Sequence, residues 1–457
     1  MRFSLYGADS QREGMPMGHV VTARPSITRL DVFAWLGIAT GVIMPVLAAL
    51  IYPVYMHQMQ PAWAEWTRLM ELPFVACELV FVQFAVRAGY RDRLIWKCLP
   101  RDVKIAFGLL FVGLTVSSVL FSKNAAASLT LSITTLVHLR FCGATFFLVR
   151  SDRNANIRTF FPLLALGLAA LTILTIWKFK LPPPELNVPG GKIEWESALP
   201  GFISVRHFGS WTGAIAAGLL LTVLYGDKEQ SQRMAPLYLL AVGLTLWSGT
   251  RAAVLGLAVV ALIAAVSLRR LPNAAPLLRT GALTALAMLG TVVFSTGLPE
   301  FMLFMRDDIQ SADTMAAGRF ELWHDTFFRW LASPIFGWGS GSTFWEVNIG
   351  WAHTQPHNTI LLFLISWGVV GASGGLWLLG RAIVATHRIG INDAALRPLT
   401  GTLYSLLFMS LLEGMLYYPR FIMIVMIIFA VLLATRDRQA EELLCGKVLS
   451  RDFDMDM

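Results

Sequence analysis

The chain has 457 residues, 56% of them hydrophobic and only 14% charged. Soluble domains carry roughly a quarter charged residues, and here apolar runs of about 18–25 residues, each long enough to cross a bilayer, recur from end to end. A soluble globular enzyme is excluded, a membrane β-barrel would show short alternating segments instead, and the net charge of +8 points to the cytoplasmic loops of a membrane protein rather than to nucleic acid.

Residues 1–30 are polar and basic, and the apolar run that follows, from Val32 to about Tyr55, is long enough to stay in the membrane rather than be cleaved as a signal. Further apolar segments lie near 69–88, 105–122, 127–149, 159–177, 210–226, 235–250, 252–268, 280–297, 357–380, 398–417 and 420–435. With 32–54 they predict an all-α, polytopic membrane protein of about twelve transmembrane helices, one integral domain over 1–457. The cysteines, Cys77, Cys98, Cys142 and Cys445, form no CxxC pair, so neither a disulfide framework nor a zinc site is expected.

Basic residues fall in alternate connections. They are Arg2, Arg12, Arg24 and Arg29 before the first span, then Arg87, Arg91, Arg93, Lys97, Arg101 and Lys104. The series continues with Arg150, Arg153 and Arg158, Lys228 and Arg233, Arg269, Arg270 and Arg279, Arg381, Arg388 and Arg397, and finally Arg436 and Arg438. The positive-inside rule then predicts both termini in the cytoplasm and two long segments, 178–209 and 298–356, outside. The first is Pro- and Gly-rich and reads as irregular. In the second, Phe320, Trp323, Phe327, Trp330 and Leu331 recur at helical spacing, which predicts an amphipathic helix on the membrane surface. It should stop before Pro334, and "PIFGWGSGSTF" should follow as a tight glycine-rich turn.

Four arginines sit on the outer side, where the charge rule disfavours them: Arg206, Arg251, Arg319 and Arg420. Each has a plain reading as a snorkelling interface anchor. Gathered at one face, they suit a shared anionic ligand, because a guanidinium binds two oxygens at once and stays charged. In "WAHTQPHNTILLFLISWGVVG", Pro356 is expected in the first helical turn, which puts His357 and Asn358 there too. A helix N-terminus disfavours an imidazolium, and a neutral imidazole is a competent general base. His353 and His357 form H-x-x-x-H, but Pro356 interrupts a continuous helix and no third ligand is evident, so no metal is expected. Glu78, His138 and Arg140 are ionisable groups in or near spans, and Glu413 should lie near the outer face as a partner for one of the arginines.

"SGTRAAVLG", with Arg251 and Leu255 as R-x-x-x-L, then "AGRFELW", "FGWGSG" and "HNTILLFLISWGVVG" resemble, in this order, the bacterial O-antigen ligase family. That family also includes O-antigen polymerases and protein O-oligosaccharyltransferases. The resemblance implies an enzyme of the bacterial inner membrane with a periplasmic active site and no cofactor. Its donor would be a glycan on undecaprenyl diphosphate, and for a ligase its acceptor would be a sugar hydroxyl of the lipid A core. It carries Arg251, Arg319 and His357 over as site residues, with Arg206 as the arginine that ends the first outer loop. Asn358, His353 and Arg420 are supporting candidates. Many relatives have an asparagine soon after that first arginine, whereas "RHFGSWTGAIAAG" has none, a departure that bears on the acceptor. The mechanism expected is metal-independent and inverting, with His357 as base and Arg206, Arg251 and Arg319 on the diphosphate; membrane lipids, not nucleic acid, surround the site. A polymerase or protein-glycosylating enzyme would share the donor. A lipid-linked sugar flippase or transporter is the alternative of another class, although no internal repeat supports it.

Overall fold

The computed structural model describes residues 32–47, 71–151, 157–179, 204–295, 319–341 and 355–455, together with Leu50, Leu199, Gly201 and Phe202. His353 and most of segments 178–209 and 298–356 lie outside the described residues. Among the described residues every regular element is helical.

In chain order the helices are α1 (Val32–Ile38, continued by a π turn over Ala39–Ile43), α2 (Leu72–Arg87), α3 (Asp92–Cys98) and α4 (Arg101–Val116, ending in a π turn over Ser117–Phe121). Next come α5 (Ala125–Ser151), α6 (Ile157–Phe179), α7 (Val205–Tyr225), α8 (Lys228–Trp247), α9 (Arg251–Leu268) and α10 (Ala274–Val293). The last are α11 (Arg319–Leu331), α12 (Thr359–Asn392), α13 (Arg397–Ser410) and α14 (Pro419–Met455), with a 3-10 turn at Met415–Tyr417. Within the described residues, each apolar segment picked out in the sequence overlaps one of these helices. Eight of the described helices are long and apolar enough to cross a membrane by themselves, and α2 with α3, bent by 85°, would make a ninth if counted as one. This is a multi-pass α-helical membrane protein.

The centre of the bundle is α7, buried along its whole length. Its small residues explain how. Gly209, Gly213, Ala214, Ala216, Ala217 and Gly218 let backbones approach closely, the usual route to tight packing where lipid gives no hydrophobic drive between helices. α8, α9 and α13 pack against it. α10, by contrast, exposes Leu278, Leu289, Val292 and Val293 on the outside of the bundle, a surface suited to lipid. Two of the ionisable groups noted in the sequence are paired. His138 Nδ1 on α5 lies 2.6 Å from Glu78 Oε2 on α2, both side chains buried. Arg140, exposed, pairs with Asp92 at 3.1 Å.

Three boundaries differ from the sequence reading. α7 begins at Val205 rather than near 210, because Ser204 caps it by accepting from Arg206 N at 3.1 Å. The segment expected as one span over 398–417 is α13 followed by a turn and the 3-10 turn. Pro356 is not in the first turn of α12. Asn358 is the N-cap, its side chain accepting from Leu361 N at 3.1 Å, so His357 stands just outside the helix.

The amphipathic helix and glycine turn do take the expected form. α11 stops at Leu331, three residues before Pro334, and Gly337, Gly339 and Gly341 all have positive φ. What the sequence did not indicate is where that turn goes. α12 is broken at Gly368 (φ 61°, ψ −171°), and the turn fills the break. Trp338 N donates to Ile365 O at 2.8 Å and Gly339 N to Ser366 O at 2.9 Å. From the other side of the break, Val369 N donates to Pro334 O at 2.8 Å and Val370 N to Ile335 O at 3.2 Å. Buried backbone groups freed by the break thereby keep hydrogen bonds. Ser340 fixes the turn further, bonded to Ser132 Oγ at 2.8 Å and accepting from Trp367 Nε1 at 2.7 Å.

Candidate functional site

α13 ends at Ser410, and the last carbonyls of any helix lack helical partners. The segment Gln355–Thr359 supplies them from side chains. Thr359 Oγ1 donates to Ser410 O at 3.0 Å, and Asn358 Nδ2 donates to Leu411 O at 3.1 Å. Gln355 Nε2 donates to Glu413 O at 3.4 Å and to the Tyr418 hydroxyl at 3.0 Å. His357 Nδ1 faces the same Glu413 carbonyl at 3.4 Å. The polar residues at the mouth of an apolar helix are therefore a zipper that binds the start of α12 to the end of α13.

The zipper fixes the imidazole. A carbonyl oxygen only accepts, so Nδ1 is the nitrogen that donates to it, and in the neutral imidazole the lone pair lies on Nε2. His357 takes φ +53°, an uncommon conformation for a residue with a side chain. Opposite it, Gly414 also has positive φ, and a Cβ there would run into Gln355 Oε1 and come within 3.1 Å of His357 Cα; only glycine fits. α11 lies over this bracket. Arg319 Nη2 bonds to Glu413 Oε1 at 2.6 Å, and Trp323 Nε1 donates to Pro356 O at 2.9 Å.

The other half of the site is built by the starts of α7 and α9. Arg206, in the first turn of α7, donates from Nη1 to Gly249 O at 2.6 Å. Two residues further on, Arg251 opens α9 and is exposed. The two helix starts touch through small groups: Thr250 Oγ1 reaches Val205 O at 3.5 Å, and a Cβ at Gly209 would collide with the hydroxyls of Ser248 and Thr250. Two helix N-termini and two guanidinium groups at one corner make a region suited to an anion.

His207 joins the halves. It follows Arg206 in sequence, is buried, and its ring centroid lies 4.1 Å from that of Tyr418, the residue Gln355 holds. Arg206, Arg251, Arg319 and His357 thus occupy helix ends linked by a short run of contacts.

Arg420 is placed differently. It is 1% exposed. Its Nε lies 3.2 Å from Glu71 Oε1, its backbone N donates to Glu71 Oε2 at 2.7 Å, and Nη2 donates to Gly201 O. The guanidinium sits over the rings of Phe202 (4.0 Å) and Phe74 (4.9 Å). Glu71 also places a carboxylate at the start of α14, where the helix dipole favours it. This arrangement is a strut between helices. Reading the sequence left out Glu71, His207, Gln355 and Tyr418. Only their positions beside Arg206, Pro356–His357 and Arg420 marked them, and adjacency in sequence is a weak signal.

A family model described as O-antigen ligase matches residues 236–374. No curated protein matches the chain. The matched stretch runs from within α8 to just past the break in α12, so it contains Arg251, Arg319, the glycine turn and His357 and stops short of both Arg206 and the Glu413 bracket. Over residues 236–374 the chain is similar to the O-antigen ligase family, a similarity that supports glycosyl transfer of the ligase and polymerase type.

Proposed function

We propose that the protein transfers O-antigen polysaccharide from undecaprenyl diphosphate to a sugar hydroxyl of the lipid A core, on the periplasmic side of the bacterial inner membrane. In this reading the chain crosses the membrane about twelve times with both ends of the sequence in the cytoplasm, as the distribution of Lys and Arg favours. The observation that carries the reading is the shared location of the helix starts bearing Arg206 and Arg251 and of the bracket holding His357, joined through His207 and Tyr418.

The donor diphosphate rests against Arg206 and Arg251, with Arg319 at the edge of the site held by Glu413. The acceptor oxygen attacks the anomeric carbon from the face opposite the diphosphate. Its proton passes to Nε2 of His357, the sugar–phosphate C–O bond breaks, and the electron pair leaves with the diphosphate. The arginines offset the charge that grows there, the form of stabilisation worth most where water is excluded. Diphosphate leaves readily, so one base suffices and the configuration inverts.

Deleting the gene tests the reaction. A ligase deletion leaves full-length polymer on the carrier and none on the lipid core. A polymerase deletion instead leaves cores capped with a single repeat, and a protein-glycosylating enzyme leaves lipopolysaccharide intact. Purified protein that moves lipid-linked glycan onto acceptor without an ion gradient excludes transport. His357→Ala should lower that activity about 10²- to 10⁴-fold, the usual contribution of a general base, with thermal unfolding in detergent unchanged; full activity in the variant removes the base assignment.

A further inference from the structure

We propose that Gln355 is a positioning residue that sets the tautomer and direction of the His357 imidazole; this rests on His357 acting as the base. Gln355 is fully buried, an uncommon place for an amide unless its hydrogen bonds have a purpose. Its NH₂ group has two donors, and both are used: one goes to Glu413 O, the carbonyl His357 faces, and the other to the Tyr418 hydroxyl. Turning the amide over would lose the bond to the Glu413 carbonyl, because an amide oxygen cannot donate to a carbonyl, although the Tyr418 hydroxyl could then donate to that oxygen.

The Glu413 carbonyl would otherwise be free to swing. It lies in the turn between α13 and the 3-10 turn, next to Gly414, whose positive φ gives the backbone unusual latitude. Gln355 ties that carbonyl to Tyr418, and Tyr418 is itself packed against His207 at 4.1 Å and Tyr417 at 5.0 Å. The carbonyl is thereby held in place to accept from Nδ1, which leaves Nε2 as the basic atom. Without Gln355 the carbonyl is free to rotate, and both tautomers of His357 become accessible. A share of the neutral histidine then carries its proton on the nitrogen that must receive one. Misdirection of a catalytic group by about 1 Å costs up to ~10²-fold in rate.

The test uses the full chain in detergent or proteoliposomes. Gln355→Met keeps length and packing, removes both donors and buries no charge. The expected result is a kcat about 10- to 100-fold lower with the KM for the lipid-linked donor unchanged and the thermal unfolding midpoint within a few degrees of the parent. Nitrogen NMR of ¹⁵N-histidine-labelled protein, with the His357 signal assigned by its loss in His357→Ala, should show the Nδ1–H tautomer in the parent and a mixture in Gln355→Met. A parental kcat and a single unchanged tautomer in Gln355→Met overturn the proposal. If Gln355→Met does not fold, Tyr418→Phe, which removes one of the amide's two acceptors and keeps the ring, is read by the same NMR signal. A mixed tautomer there supports the proposal and an unchanged one overturns it. His357→Ala keeps the two claims apart: activity in that variant sinks the base itself, whereas an inactive His357→Ala beside a fully active Gln355→Met sinks only the role of Gln355.

Discussion

Two of the arginines singled out in the sequence illustrate how little a residue's type says about its task. Arg420 and Arg251 are the same side chain at the start of a helix, yet Arg420 is enclosed by Glu71, Phe74 and Phe202 while Arg251 is exposed. Removing one partner of a buried ion pair strands the other and costs about 3–5 kcal/mol. Arg420→Ala should therefore destabilise the protein by about that much, seen as a lower unfolding midpoint in detergent. Replacing Glu71 and Arg420 together by apolar residues should recover most of the loss. Arg251→Lys should leave the unfolding midpoint where it is and lower kcat/KM for the lipid-linked donor by tenfold or more, since lysine cannot reproduce a two-pronged contact with phosphate oxygens. An Arg251→Lys variant with parental kinetics would remove Arg251 from the diphosphate site.

At the scale of the element, α12 owes its start and its middle to contacts with other parts of the chain. Asn358 caps it and also donates to Leu411 O. Asn358→Ala should cost about 0.5–2 kcal/mol for the cap, and Asn358→Asp, which keeps the cap and loses the donor, should fall between the two. Gly368 stands in a backbone region almost confined to glycine, where a side chain costs about 1–3 kcal/mol, and a Cβ there would also strike Ile335 O. Gly368→Ala should therefore lower the unfolding midpoint and also speed hydrogen exchange at Trp338, Gly339, Val369 and Val370, whose amides cross the break. If exchange stays slow at all four, the turn does not depend on that glycine. α11 was readable in advance because its aromatic residues recur every third or fourth position. Its attachment was not, because Trp323 reaches a carbonyl 33 residues away, and no local pattern encodes such a distance.

For the whole molecule, the orientation proposed from basic residues has a direct check. In a background lacking Cys77, Cys98, Cys142 and Cys445, His324→Cys on α11 should react with a membrane-impermeant maleimide in cells with a permeabilised outer membrane. Gln439→Cys, past the apolar part of α14, should react only after the inner membrane is opened. Both positions are exposed, so access alone decides the outcome, and labelling in the opposite pattern would put the His357 bracket in the cytoplasm.

The sequence by itself determined the helical class, the place of most apolar segments, and the amphipathic helix with its glycine turn, and it pointed to the arginines and histidine worth following. These are local properties: hydrophobic runs, helical spacing and charge in short connections act over one or two dozen residues. Only the tertiary structure decided that the glycine turn repairs a broken helix, that Glu71 takes Arg420, and that Gln355 and Glu413 hold His357. Each of these joins residues 27 to 349 positions apart. Such a pairing is set by which buried donors and acceptors are left over once the helices pack, and that remainder exists only in three dimensions.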